Sequence, residues 1–282
     1  MAISGKAKLA GVIGWPVGHS LSPRLHGYWL ERYGIDGAYV PLAVKPGEVE
    51  SALRALPRLG FNGVNVTLPH KEAAAKAVDR MDQVAKRIGA VNTIVVDASD
   101  RLSGSNTDGF GFLENLKSAA PNWKPGRAPT VLLGAGGAAR AIAAALLDAG
   151  VKELRLIGRT RARAEALIRD IDGAISMVPW KDRARALDGG GLLVNATALG
   201  MQGNAPLDID LDALPKSAVV YDIVYTPLNT PLLKAARRRG NKTVDGIGML
   251  LHQARPGFRL WFGVDPKVTP ALRRFVLAGL KK

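Results

Sequence analysis

The chain has 282 residues, 47% apolar and 22% charged, which is long enough for about two domains with sizeable cores and too apolar for a disordered chain. It has no cysteine. That excludes disulfides and thiolate metal sites, and is compatible with a cytoplasmic protein. The net charge of +15 suits nucleic acid or small anions, but the basic residues are dispersed, with no basic tail and no nucleic-acid motif, so a solvated surface accounts for most of them.

The opening MAISGKAKLAGVIGWP lacks the apolar segment of a secretory signal. The longest apolar run, AIAAALL from Ala141, is too short to span a bilayer. Neither a leader nor a membrane span is expected. In chain order, LAGVIG (9–14) reads as a strand and a helix runs from about Ser22 to Tyr33. AYVPLAV (38–44) is a strand, a helix begins near Glu48, and GVNVTL is a strand stopped by Pro69, which has no N–H for a ladder. KEAAAKAVDRMDQVAKR from Lys71 reads as one helix, and VNTIVVD (91–97) as the strand completing this half. Such β-α alternation predicts an α/β unit.

The stretch Pro121-Asn-Trp-Lys-Pro125 is loop-like. After it come a strand in APTVLL, a glycine-rich turn, an alanine-rich helix and the strand of VKELRLIGRT. Further strands are read in ISMV (from Ile175), GLLVNAT (from Gly191), AVVYDIVY (from Ala218) and KTVDG (from Lys242). These predict βα units with helices on both faces of a sheet. IGMLLHQARPGFRLWFG is amphipathic and aromatic, and Pro256 with Gly257 is expected to interrupt or kink it. A last helix is expected from about Pro270 to Leu280. The expected architecture is two α/β domains, 1–110 and 111–245, with C-terminal helices 246–282 returning to the first. No fixed-period repeat or low-complexity tract appears.

Val131-Leu132-Leu133 leads into Gly134-Ala135-Gly136-Gly137-Ala138-Ala139-Arg140. Gly134 permits the tight turn, Gly136 lets backbone approach a pyrophosphate, and the helix N-terminus favours its charge. Ala139, where a third glycine often sits, is small enough for close helix–strand packing. A lone GxGxxA pattern is weak; its place between an apolar strand and a helix, with a second strand following, predicts a Rossmann-like dinucleotide site. The alternative is a glycine turn between packed elements. The second strand ends Ile157-Gly158-Arg159-Thr160, with Arg163 one helical step on. NAD sites usually place a carboxylate there. Guanidinium groups suit a 2′-phosphate, so the expected cofactor is NADP(H), with Arg163 as a plain solvent-facing residue the alternative.

Other polar groups fall at or beyond predicted strand ends, where open α/β sheets bind ligands. Ser20 and Ser22 precede Pro23; Ser22 reads first as an N-cap, and the two hydroxyls alternatively hold an anion at the helix end. Thr67, Asn92 and Asp108 are individually unremarkable, and Asp108 in Asn106-Thr107-Asp108-Gly109 is readable as a helix cap. Lys71 is a first-turn cation that opposes the helix dipole, a small sign of functional placement.

The segments GWPVGHSLSPRLH, GVNVTLPHK, IGAVNT, NTDGFGF, GAGGAARA, GRT, NATALGM, YDIVYTPLNTPLL and DGIGMLLHQA, in this order, resemble the shikimate dehydrogenases over nearly the whole chain. The resemblance implies NADPH-linked reduction of 3-dehydroshikimate to shikimate in aromatic amino-acid (chorismate) biosynthesis. It further implies a first domain that binds substrate with the C-terminal helices, a middle domain that binds the dinucleotide, and a cleft that closes. By motif position, Ser20 and Ser22 would hold the substrate carboxylate, and Thr67, Asn92, Asp108 and Gln253 would contact ring hydroxyls. Lys71 and Asp108 would form the catalytic pair. Gly134, Ala135, Gly136, Gly137, Ala138, Arg159, Thr160, Arg163 and Thr197 would face the cofactor, with Met249 an apolar wall beside the nicotinamide and Tyr225 near the cleft. For Gln253 the local pattern also allows a solvent-facing residue, and Tyr39 reads as packing. Two departures stand out: His26-Gly27 where the family commonly has His-Asn, and Gly158 where it has Asn in an NRT-like segment.

The nearest rival is a quinate/shikimate dehydrogenase, decided by pocket room near the carboxylate. A catalytically idle NADP-binding sensor is disfavoured by the presence of both Lys71 and Asp108. No metal is expected, because the four histidines (His19, His26, His70, His252) show no metal-ligand spacing. The expected partner is the small-molecule substrate, not nucleic acid or membrane, and monomer and homodimer both stay open.

Overall fold

The computed structural model describes residues 3–281 and divides into two compact units. One unit runs to Thr107 and resumes at Gln253; the other is Asp108–His252.

The first unit contains β1 (Lys8–Gly14), α1 (Ser22–Arg32), β2 (Gly37–Ala43), α2 (Val49–Ala55), β3 (Phe61–Val66), α3 (Lys71–Ala77), β4 (Arg80–Met81), α4 (Gln83–Ile88), β5 (Thr93–Val96) and β6 (Leu102–Ser105). Its sheet has the order β2-β1-β3-β5-β6-β4. β1 pairs parallel with β2 and β3, whereas β5 runs antiparallel to both β3 and β6. Two expectations change here. The helix read from Lys71 onward is split. Val78 leaves it in extended geometry, and two aspartates hold the break. Asp79 accepts from the Leu102 N–H at 2.7 Å and from Arg54 at 2.6 Å. Asp82 caps α4 by accepting from the Ala85 N–H at 2.6 Å, a local side-chain bond that competes with helix continuation. The second change is β6, absent from the sequence reading because Ser103-Gly104-Ser105 carries no apolar signal. It forms because Asp97 closes the turn before it, accepting from the N–H groups of Ser99 (2.8 Å) and Arg101 (3.0 Å).

The second unit contains α5 (Asp108–Ala119), β7 (Thr130–Leu133), α6 (Gly137–Asp148), β8 (Leu154–Ile157), α7 (Arg161–Asp170), β9 (Ile175–Val178), β10 (Leu192–Asn195), β11 (Val219–Asp222), α8 (Pro231–Arg238), β12 (Lys242–Val244) and the start of α9 (Ile247–Phe262). The sheet is wholly parallel, in the order β12-β11-β10-β7-β8-β9. Strand order reverses between β7 and β10, with β8 and β9 added on one side and β11 and β12 on the other, the switch point at which doubly wound sheets bind ligands. Its central strands β7, β10 and β11 are buried throughout, as strands covered on both faces are.

The remainder of α9 and α10 (Pro270–Leu277) belong to the first unit. Of the two expectations for Pro256 with Gly257, the interruption does not occur: α9 continues through Pro256. The missing N–H removes one ladder bond, but burial of Phe258, Trp261 and Phe262 holds the helix. The Trp261 indole donates to the Ile94 carbonyl at 2.9 Å. Gly257 serves that packing, since a Cβ there would lie 2.8 Å from the Trp261 ring. Arg24 on α1 stacks over Phe275 on α10 at 4.0 Å and donates to its carbonyl at 2.7 Å.

His26 lies inside this aromatic core, fully buried and stacked on Tyr39 with centroids 3.9 Å apart. Neither ring nitrogen has a hydrogen-bond partner among the described residues. Burial without a partner lowers its pKa from 6.5 to about 3. The unfolded chain therefore takes up a proton below about 6.5 that the folded chain refuses until about 3. The stability involved is complete above the higher value and is lost as pH falls toward the lower. At pH 5 the loss relative to pH 7.5 is about 2 kcal/mol. Urea unfolding at the two pH values checks this: His26→Leu is expected to shrink the wild-type difference by that amount, and an unchanged difference would refute the assignment.

Candidate active site

In the first unit the polar residues gather at one end of the sheet. Ile13 and Val66 lie opposite each other near the ends of β1 and β3, and the Thr67 N–H donates to the Ile13 carbonyl at 2.9 Å. The Val66 N–H donates to the Asn92 carbonyl (2.8 Å), and the Val91 N–H to that of Lys71 (3.0 Å). Thr67, Lys71 and Asn92 are thus held by the backbone around the end of β3. The Leu68–Pro69 peptide is cis. His70 is buried, with Nε2 2.7 Å from the Val44 carbonyl, and precedes Lys71 at the start of α3.

Ser22 is not the cap of α1. It is the first helical residue; Leu21 holds the cap position, and no side chain caps the helix. The Ser20 hydroxyl accepts from the Ser22 N–H at 3.3 Å. Two hydroxyls therefore stand at a helix start whose remaining orphan N–H groups and dipole favour an anion. Tyr39 is buried, and burial raises its phenol well above its ordinary value.

Beneath these residues runs a buried polar network that sequence reasoning missed. The Tyr39 hydroxyl donates to Asn65 Oδ1 at 2.7 Å, and Asn65 Nδ2 donates to Thr93 Oγ1 and the Asn92 carbonyl, each at 3.1 Å. Asn92 Oδ1 accepts from the Thr107 N–H and from Thr93 Oγ1, both at 2.9 Å. Asn92 Nδ2 donates to Thr107 Oγ1 at 3.1 Å and Gln253 Oε1 at 3.3 Å. Thr107 Oγ1 donates to the Gln253 carbonyl at 2.8 Å. Gln253 is therefore tied to Asn92 rather than simply facing solvent. The available signal was Asn65 and Thr93, polar residues inside buried strands, where an unpaired group is costly. Tyr39 is more than packing, because its hydroxyl holds Asn65 in this network.

In the second unit, Asp108 opens α5 as a buried first-turn carboxylate. It begins the helix and does not precede it as a cap. The glycine turn leaves β7 at Gly134, whose φ of +115° and 2.9 Å approach of a would-be Cβ to the Ala196 carbonyl require glycine. Gly136 holds the N-cap position of α6, no side chain caps that helix, and a Cβ at Gly136 would meet nothing within 4 Å. An uncapped helix N-terminus under open space, flanked by Gly137 and Ala138, fits a pyrophosphate. Ala139 is fully buried against the sheet.

Arg159, Thr160 and Arg163 are exposed, and neither arginine is ion-paired among the described residues. Arg161 between them pairs with Glu165 at 2.7 Å. Two unpaired guanidiniums beside a dinucleotide cradle fit a 2′-phosphate. Thr197 Oγ1 donates to Asn195 Oδ1 at 2.7 Å and accepts from the Leu199 N–H at 3.1 Å, so its hydroxyl shapes its own loop. Met249 is buried on α9, and Tyr225 is half-buried just beyond β11, its phenol raised by burial. Among the described residues no group of three or more His, Cys, Asp or Glu converges as a metal site, and no helix is long and apolar enough to cross a membrane.

Comparison with known proteins identifies this pattern. Residues 12–94 match the shikimate dehydrogenase substrate binding domain. Residues 117–201 match shikimate/quinate 5-dehydrogenase, and 246–273 the shikimate 5′-dehydrogenase C-terminal domain. The chain is 61% identical over 279 residues to the shikimate dehydrogenase (NADP(+)) of Rhodospirillum rubrum, covering 98% of this chain and 99% of the relative. The Thermus thermophilus shikimate 5-dehydrogenase, solved with NADP(H) and shikimate, is 38% identical with a TM-score of 0.85, covering 96% of this chain and 99% of that one. The Corynebacterium glutamicum quinate dehydrogenase, solved with NAD, is 34% identical with a TM-score of 0.89, over 96% and 99%. The chain belongs to the shikimate/quinate dehydrogenase family.

Proposed function

We infer that this protein is an NADP(H)-dependent dehydrogenase that reversibly reduces 3-dehydroshikimate to shikimate, a step of aromatic amino-acid biosynthesis. The observation that carries this is whole-length relatedness, at 61% identity, to a shikimate dehydrogenase (NADP(+)), in a chain that has every polar group the chemistry needs. The first unit is the substrate side. Ser20 and Ser22 receive the carboxylate at the uncapped start of α1, and Thr67, Asn92 and Gln253 meet ring hydroxyls. The second unit is the cofactor side. Residues 134–138 cradle the pyrophosphate, and Arg159, Thr160 and Arg163 bind the 2′-phosphate. Thr197, Met249 and Tyr225 lie toward the reacting end.

When bound, NADPH supplies the hydride. As the substrate carbonyl carbon becomes sp³, negative charge grows on its oxygen. The Lys71 ammonium stabilises that charge and delivers the proton that completes the hydroxyl. In the reverse direction the neutral amine accepts it. By motif position, Asp108 is the carboxylate member of the catalytic pair with Lys71.

The second reading is quinate use, supported by the likeness to the C. glutamicum quinate dehydrogenase. Absorbance at 340 nm decides between them, with 3-dehydroshikimate and NADPH or NADH forward, and shikimate or quinate with each oxidised cofactor in reverse. Rapid NADPH oxidation with poor NADH and quinate turnover is expected. Good quinate turnover would broaden the pocket assignment, and NADPH binding without turnover would favour a sensor.

A further inference from the structure

We propose that Asp222 is a positioning residue of the cofactor side: its buried carboxylate ties the Asn195–Leu199 loop to the loop that follows β11, and so sets the surface the dinucleotide meets. The inference rests on reading these loops as the cofactor side.

β10 and β11 end side by side, with Asn195 paired to Asp222. Both side chains are fully buried. Asp222 Oδ1 accepts from Asn195 Nδ2 at 2.9 Å and from the Val224 N–H at 3.1 Å. Oδ2 accepts from Thr230 Oγ1 at 2.7 Å. Thr230 is itself fully buried and caps α8, accepting from the Leu233 N–H at 3.3 Å. Asn195 carries the connection onward: its Nδ2 also donates to the Leu199 carbonyl at 3.1 Å, and its Oδ1 receives both the N–H and the hydroxyl of Thr197. One carboxylate therefore joins the Thr197 loop, the turn leading to Tyr225 and the start of α8. From the other side Gly246 backs the same turn, since a Cβ there would run into the Ile223 carbonyl.

A carboxylate is an odd choice for packing alone. It has no ion-pair partner among the described residues, and burial pushes it up to about 6 despite three donors. An apolar or amide side chain would end the strand with less desolvation penalty. What the carboxylate alone provides is acceptors for three donors from three segments. Removing it leaves those donors buried and the loops untied.

Steady-state kinetics on Asp222→Ala, Asp222→Asn and Thr230→Val test this, with shikimate binding measured by calorimetry without cofactor and Tm by melting. Asp222→Ala is expected to raise KM for NADPH about tenfold, with shikimate Kd unchanged within twofold. Asp222→Asn keeps acceptors for Asn195 and Val224 but offers none to the Thr230 hydroxyl, so it should fall between. Thr230→Val breaks the same link. It should raise KM as Asp222→Asn does, and the double variant should be no worse than either. Thr230→Val also decides the matter if Asp222→Ala does not fold. A lowered Tm with unchanged NADPH KM in these variants would mean a structural role only and would overturn the proposal. Gly136→Val, which fills the cradle above α6, separates the two levels. If it weakens NADPH binding and the Asp222 and Thr230 variants do not, the positioning role alone fails. If it too leaves NADPH binding unchanged, the cofactor-side reading fails and takes this inference with it.

Discussion

Lys71→Ala is expected to lower kcat by about three orders of magnitude while leaving NADPH affinity and the fold intact. Loss of a positioned proton donor removes 10²–10⁴-fold, and the same ammonium is the proposed stabiliser of the developing oxyanion, a role of about 10²–10³-fold in comparable sites. These contributions come from one group and do not multiply in full. The fold should survive for a local reason. Lys71 is the first residue of α3, where a cation opposes the helix dipole and alanine is the better helix former. Its backbone carbonyl accepts from the Val91 N–H, and that bond is kept in the variant. Melting beside the kinetics separates a lost proton donor from a lost fold. A kcat within a few-fold of wild type rejects Lys71 as the proton donor, and a large drop in Tm assigns the loss to misfolding.

Arg159→Ala carries the second-largest expectation: Kd for NADPH should rise about 30-fold and that for NADH by less than threefold. A charge-assisted contact between guanidinium and phosphate contributes about 2 kcal/mol, and each 1.4 kcal/mol is about tenfold. NADH lacks the phosphate and so loses nothing comparable. Stability should not move, because Arg159 is exposed and unpaired among the described residues. The neighbouring Arg161 is the control. Its guanidinium is engaged with Glu165 one helical turn on, so Arg161→Ala should leave both constants near wild type. Fluorescence titration of the two reduced cofactors measures all four values. Equal weakening of NADPH and NADH by Arg159→Ala would mean that the arginine meets the shared part of the dinucleotide, and the 2′-phosphate assignment would fall.

Much of this protein is legible in its sequence. The strand-turn-helix around Gly134–Ala139 is local: apolar β7 ends, glycine turns the chain, and α6 begins, so spacing alone predicts the cradle. The parallel second sheet follows from the alternation of strands with helices, which places helices on both faces. The motif order from GWPVGHSLSP to DGIGMLLHQA was specific enough to imply the family. What failed was also local in origin. The helix read from Lys71 to Arg87 had the right periodicity, but Asp79 and Asp82 found acceptor geometry that ended and restarted it, and short side-chain bonds outcompete weak helix propensity.

Sequence by itself determined the chemistry on offer: hydroxyls before a helix, a lysine after a strand, arginines where a carboxylate would select NAD. Each of these is a property of a few consecutive residues. Only the tertiary structure decided which groups meet. Asn92 and Gln253 are 161 positions apart, yet their amides hydrogen-bond. Asn195 and Asp222 are brought together by strand register across 27 residues. Pro256 fails to break α9 because an aromatic face, gathered from three segments, buries the helix around it. Such pairings depend on register and burial, which arise when separated segments pack, and no local pattern carries them.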